Sequence, residues 1–155
     1  MLWIMQEAMT YGTHIVLDGF RADPQALGDS DTVREVLEGL GRTLEPETEA
    51  YIQVFDFDKG PSPGSSGAAI LQESGLALHL FPDATKLTLR VFSRHNVQLE
   101  EVTALLSSRY GVGRFETQIR NRSRPLPREE KMLRRVLGGD RTYARLRLED
   151  FLRMA

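Results

Sequence analysis

Two short runs of different texture meet at Glu73-Ser74, and they limit what this chain can build. Upstream, Gly64-Ser65-Ser66-Gly67 leads through Ala68, Ala69 and Ile70. Downstream, Leu76, Leu78 and Leu80 alternate with Ala77, His79 and Phe81 until Pro82 closes the run. Period-two alternation of this length predicts a strand with one aliphatic face. The other face carries an imidazole and an aromatic ring, with the Asp83 carboxylate just beyond. Packing alone has no need of those groups. A serine hydroxyl beside a carboxylate stands at the joint, and Ser66, in a glycine-flanked turn, lies eight residues before Ser74.

The flanking sequence predicts a sheet with helices laid on it. Gly12 to Asp18 reads as a first strand, bounded by Gly19 and the Asp23-Pro24 turn. Asp29-Ser30-Asp31 offers N-caps for a helix over 31–40, with Val33, Val36, Leu37 and Leu40 at helical spacing and Gly39 and Gly41 marking its end. Tyr51 to Phe57 alternates as a second strand. Lys59 to Gly67 reads as a shaped loop, followed by strands near 68–73, 76–81 and 86–93. Val97 to Tyr110 carries the apolar stripe of a second helix, stopped by Gly111, and Phe115 to Asn121 makes a last strand. Strands in succession with two interspersed helices predict an α+β fold, a two-layer sandwich with an antiparallel-rich sheet and helices on one face.

Length and composition bound the rest. A chain of 155 residues is one domain of ordinary soluble composition, 41% hydrophobic and 27% charged. It has no run near the roughly 20 apolar residues that span a bilayer. Met1 to Met5 lacks the basic flank of a signal peptide, so a cytoplasmic protein is expected. With no cysteine, disulfides, thiolate metal sites and cysteine nucleophiles are excluded, and we expect no metal. Charge is unevenly spread. Residues 120–155 hold 11 Lys and Arg against 5 Asp and Glu, net +6, while residues 1–119 are net −8. Beyond Tyr143 and Phe151 that basic segment lacks an aromatic stacking platform. We expect it to lie against its own domain or a second subunit rather than to bind nucleic acid. The divisions expected are a domain over 1–121 and a basic, partly helical extension over 122–155. The extension has a hinge near 122–127, a helix near 128–137 ended by Gly138-Gly139, and another over 141–154 anchored by Leu146, Leu148, Phe151 and Leu152.

Glu73-Ser74 followed by Leu76, Leu78, His79, Phe81, Pro82 and Asp83 resembles the cleavage and active-site segment of S-adenosylmethionine decarboxylases, in their short bacterial and archaeal form. Gly12 to Asp23 is similar to that family's first strand and Leu87 to Ser93 to the strand after the motif. The likeness covers residues 11–119. It implies an α/β sandwich, a homodimer of processed protomers with sites near the subunit boundary, and a place in polyamine biosynthesis.

The resemblance also implies a chemistry. Decarboxylation beside nitrogen needs an electron sink, and a carbonyl that captures the substrate amine supplies one. The chain shows no phosphate cradle for pyridoxal. The family makes its own carbonyl, a pyruvoyl group, from a serine. By resemblance Ser74 is that serine, Glu73 ends the upstream fragment, and Ser66 and His79 match the processing serine and histidine. Cleavage between 73 and 74 follows. Taken singly, serines in turns and a histidine in a strand are routine; their joint spacing carries the reading. The family holds its adenine between two aromatic rings with an acidic residue near the ribose, and Phe57, Phe81 and Asp83 match these positions. Phe55, on the same strand face as Phe57, is the alternative second ring.

Two positions depart from the pattern. Gly75 stands where a histidine is common. Arg94 stands at the position of the cysteine that reprotonates the substrate carbon, and a guanidinium is a poor proton donor. It could instead hold a substrate carboxylate. The ring and acid positions, kept in kind, make S-adenosylmethionine the expected substrate; the departures bring in ornithine or arginine as the alternative and a non-catalytic regulatory paralogue as the second.

Overall fold

The computed structural model of the chain describes residues 12–60, 62–120 and 126–154. Six alternating stretches form one sheet: β1 (Thr13–Phe20), β2 (Tyr51–Phe57), β3 (Gly64–Ile70), β4 (Ser74–Phe81), β5 (Lys86–Ser93) and β6 (Arg114–Arg120). Their order is β2-β3-β4-β5-β1-β6, and every pairing is antiparallel. The α+β class and the antiparallel sheet stand as the sequence predicts.

Alternation gives the sheet two unlike faces. Leu17, Leu76, Leu78, Leu80, Leu87 and Leu89 point one way and are almost wholly buried. Above them lie α2 (Asp31–Leu44) and α3 (Leu99–Tyr110), preceded by the short α1 (Pro24–Leu27), whose N-cap Asp23 accepts the Gln25 N–H. Val33, Val36, Leu37 and Leu40 of α2, with Val102 and Leu106 of α3, complete this core. Cutting one such leucine to alanine removes about 2–5 kcal/mol. Gly111, in the left-handed region at φ 60°, ends α3 as expected.

The structure corrects three expectations, each by tertiary packing overriding local propensity. α2 runs through Gly39 and Gly41 to Leu44. A helical glycine costs about 1 kcal/mol, but Leu40 and Leu44 are buried, and at Gly39 an added Cβ would press on Leu105 of α3 at 3.2 Å. Gly64-Ser65-Ser66-Gly67 is strand rather than loop, because β3 is paired on both sides, by β2 and β4. Gly67 is needed there: a Cβ would stand 2.6 Å from Val33 and 2.8 Å from Leu37. Gly64 sits at φ +149°, where a side chain would collide with the Leu80 carbonyl and the Arg141 guanidinium.

The third correction concerns the basic segment. Gly138-Gly139 do not end a helix; α4 runs unbroken over Glu130–Met154. It lies on the sheet face opposite α2 and α3. Leu133 and Leu137 pack on Phe55, Ala68 and Ala77, and Ala144 and Leu148 pack on Phe20 and Phe81. The segment thus rests on its own domain. Most of the expected hinge, the Met1 to Met5 run read as lacking a signal peptide's basic flank, and the side chains of Phe151 and Leu152 lie outside what is described. No helix among the described residues is long and apolar enough to cross a membrane.

Candidate active site

The residues singled out from sequence fall into two clusters. The first surrounds the peptide between Glu73 and Ser74. Leu71 to Glu73 turn the chain from β3 into β4, closed by the Leu71 N–H on the Ser74 carbonyl at 2.9 Å. The Glu73 N–H donates to Glu45 Oε2 at 3.2 Å. The Glu73 carbonyl, the group a Ser74 hydroxyl would attack, accepts the Arg94 N–H at 3.2 Å. Ser74 and Ser93 are register partners across β4 and β5, and their hydroxyls meet at 2.9 Å. Ser93 Oγ also accepts the His95 N–H at 2.9 Å. The His95 ring closes the set, its Nε2 2.9 Å from Glu73 Oε2. Both serines are buried, whereas Glu73 and His95 reach solvent. The arrangement presents a hydroxyl, a neighbouring carbonyl and an N–H aimed at that carbonyl oxygen, the parts an acyl shift from nitrogen to oxygen requires.

The second cluster lies on the α4 face. Ser66 and His79 are register partners across β3 and β4, and both are fully buried. Ser66 Oγ lies 2.8 Å from His79 Nδ1. His79 Nε2 contacts Asp140 of α4, whose other carboxylate oxygen takes Arg90. Burial above all, then the charges of Arg141 and Arg90, pushes the His79 pKa down to about 3. The ring is therefore neutral. Its proton sits on Nε2 toward the Asp140 carboxylate, leaving Nδ1 to accept the Ser66 O–H. Arg141, 3% exposed, donates to Ser66 Oγ at 3.0 Å, to the Ser65 carbonyl at 2.9 Å, and to the Leu80 carbonyl.

The two clusters do not meet within one chain. Ser74 and His79 are five residues apart on β4, about 17 Å at a strand's rise. By parity they also lie on opposite faces, Ser74 with Leu76 and Leu78, His79 with Ala77 and Phe81. Phe57, Phe81 and Asp83 belong to the second cluster's side. The Arg141 guanidinium lies over the Phe81 ring at 4.2 Å and the Phe57 ring at 5.7 Å, and Arg134 lies over Phe55 at 5.0 Å. Phe81 and Asp83 line a cleft of about 170 Å³ with Lys86 and with Arg145 and Glu149 of α4. Arg94 presents its side chain to solvent and contributes only its N–H to the first cluster. No group of three His, Asp or Glu among the described residues could hold a metal ion.

Sequence reasoning missed Ser93, His95, Asp140 and Arg141. The last two left a readable trace. Leu133, Leu137, Ala144 and Leu148 form a stripe at spacings of four, seven and four, and Asp140-Arg141 fill the skipped turn. A charged pair in the gap of an apolar stripe faces what the stripe faces.

Comparison with known proteins agrees with this architecture. Residues 13–123 match the family model described as S-adenosylmethionine decarboxylase. The chain is 29% identical over 89 residues to S-adenosylmethionine decarboxylase proenzyme of Thermococcus gammatolerans, covering 57% of this chain and 59% of that protein. It is also 29% identical over 82 residues to the protein of the same name from Clostridium botulinum, covering 53% and 67%. The chain thus matches less than two thirds of the Thermococcus relative's length. A crystal structure of the adenosylmethionine decarboxylase from Aquifex aeolicus superposes with a TM-score of 0.61 at 19% identity, covering 77% of this chain and 96% of that one. Asp140 and Arg141 lie beyond the family match.

Proposed function

The chain belongs to the S-adenosylmethionine decarboxylase family, and from that premise we propose that it is a self-processing, pyruvoyl-dependent decarboxylase of polyamine biosynthesis. Its proposed substrate is S-adenosylmethionine and its proposed location the cytoplasm. One observation carries the reading: the Glu73 carbonyl takes the Arg94 N–H while the adjacent Ser74 hydroxyl is held, buried, against Ser93.

The chemistry follows from those atoms. Ser74 Oγ attacks the Glu73 carbonyl carbon, its proton passing to the Ser74 nitrogen as the amide bond breaks and an ester replaces it. The Arg94 N–H supports the oxyanion on the way, a contribution of up to about 10²–10³ in rate for a well-aimed donor. Removal of the Ser74 Cα proton then expels Glu73 as a carboxylate and leaves dehydroalanine, and water converts that to a pyruvoyl group with loss of ammonia. A pyruvoyl carbonyl supplies the electron sink that decarboxylation needs. Ser93 positions the hydroxyl.

The separation of the clusters bears on the assembly. If His79 and Ser66 take part in processing, they act on the Glu73-Ser74 junction of another copy, so the homodimer implied by the family likeness has a geometrical reason. Mixing tests this. A His79→Ala chain, which keeps Ser74, and a Ser74→Ala chain, which keeps His79, are each expected to stay whole alone. Mixed and refolded together, the His79→Ala chain is expected to be cut. Cutting of His79→Ala alone at the parent rate would remove His79 from the processing role. A regulatory paralogue without turnover is the competing reading, favoured by the solvent-facing Arg94 at the position of the family's proton-donating cysteine. A chain that is cut but releases no carbon dioxide from S-adenosylmethionine, ornithine or arginine would establish it.

A further inference from the structure

A helix that only had to cover a sheet would continue its apolar stripe. α4 instead interrupts the stripe with Asp140 and Arg141 and buries both against charged or polar partners. Buried ion pairs recover little more than their desolvation, and well-packed apolar side chains of similar volume serve docking at least as well. What the pair adds is register: each partner must be met in one place.

Those partners are the family-matched groups of this face. Asp140 takes His79, and Arg141 takes Ser66. The planar Arg141 guanidinium also lies over Phe81 and Phe57, the two rings that the family likeness assigns to either side of the adenine. Cation and nucleobase are both flat groups that stack on aromatic faces. With α4 in place, Ser66 and His79 are shut from water, and the adjoining cleft holds about 170 Å³, below the roughly 300 Å³ at which pockets begin to hold drug-sized ligands.

We propose that α4 is an internal occupant of the substrate face, with Arg141 filling the slot between Phe57 and Phe81, so that an adenine nucleoside and the docked helix exclude one another. The inference rests on the proposed activity and on the place that the family likeness gives those two rings. Its consequence is regulatory. Any condition that lifts α4 opens the ring pair and Ser66–His79 together, and the apparent affinity for substrate is lowered by the fraction of chains in which the helix is down.

The test uses the full chain and 5′-methylthioadenosine, which carries the adenine nucleoside without the amine or carboxylate. Calorimetry is expected to show Arg141→Ala binding it on the order of tenfold more tightly than the parent. In the parent, saturating nucleoside is expected to speed amide hydrogen exchange across residues 133–148. Should Arg141→Ala fail to fold, Arg141→Lys keeps the charge and loses the planar stack, and the exchange measurement needs no variant. Equal or weaker binding by the variant, slower exchange of α4 on binding, or no binding by either protein would overturn the proposal. Cutting at Ser74 is scored separately by mass. A chain that cuts itself but shows no Arg141 effect would defeat this inference and leave the proposed activity standing.

Discussion

The Glu73–Ser74 junction and the Ser66–His79 pair are built from similar side chains and sit in opposite circumstances. At the junction, backbone N–H groups from the end of β5 do most of the holding, and Glu73 and His95 remain in water. Under α4, side chains do the holding, and Ser66 and His79 are sealed. The difference teaches where stability and reactivity part. A cluster whose charges are buried on one another is a load on the fold, while a cluster held by the main chain can lose a side chain and keep its shape.

Substitutions can break that contrast. Asp140→Ala leaves Arg90 and His79 without their shared acceptor, and urea unfolding is expected to show a loss of about 3 kcal/mol, the low end for a broken buried pair because Arg90 still reaches water. Ser93→Ala is expected to slow the appearance of the 74–155 fragment by about tenfold, the value of one hydrogen bond, with the urea midpoint nearly unchanged. A stability loss matching that of Asp140→Ala would erase the distinction.

Acid sharpens the contrast further. His79 is pushed down to about 3 and His14 to about 4, both chiefly by burial, so the unfolded chain takes these protons first, near 6.5. Stability from these groups is full above pH 6.5 and is lost as pH falls toward 4, by at most about 1.4 kcal/mol per unit for each histidine. Asp18, its pKa raised by burial, works in the opposite direction. Urea midpoints at pH 7 and pH 5 check the sign; equal midpoints would count against neutral buried rings. The smallest effect belongs to Gly139→Ala, where an added Cβ meets nothing within 4 Å. It is expected to raise stability by at most about 1 kcal/mol through helix propensity.

How much of this was legible in the sequence follows the range of the forces involved. The sequence predicts β2 and β5 at their observed ends, because alternation is local and both strands are bounded by turn residues. The glycines misled. Gly39, Gly41, Gly138 and Gly139 read as helix ends, but what decides a helix end here is whether leucines on either side have a surface to cover. Gly64 to Gly67 read as a loop because composition cannot show that two strands will pair with them. The site divided the same way. Ser74, Ser66 and His79 stood out through spacing within one hairpin, whereas Asp140 and Arg141 lie 61 and 62 residues beyond His79 and become visible only when α4 is laid on the sheet.

The central claim is that Ser74 cuts the backbone in front of it. Intact mass of the purified full-length chain tests this most directly. The account predicts two species, residues 1–73 and a remainder from position 74 blocked to amine chemistry, with Ser74→Ala remaining whole. A single uncut chain after native expression, or Ser74→Ala cut as readily as its parent, would contradict it.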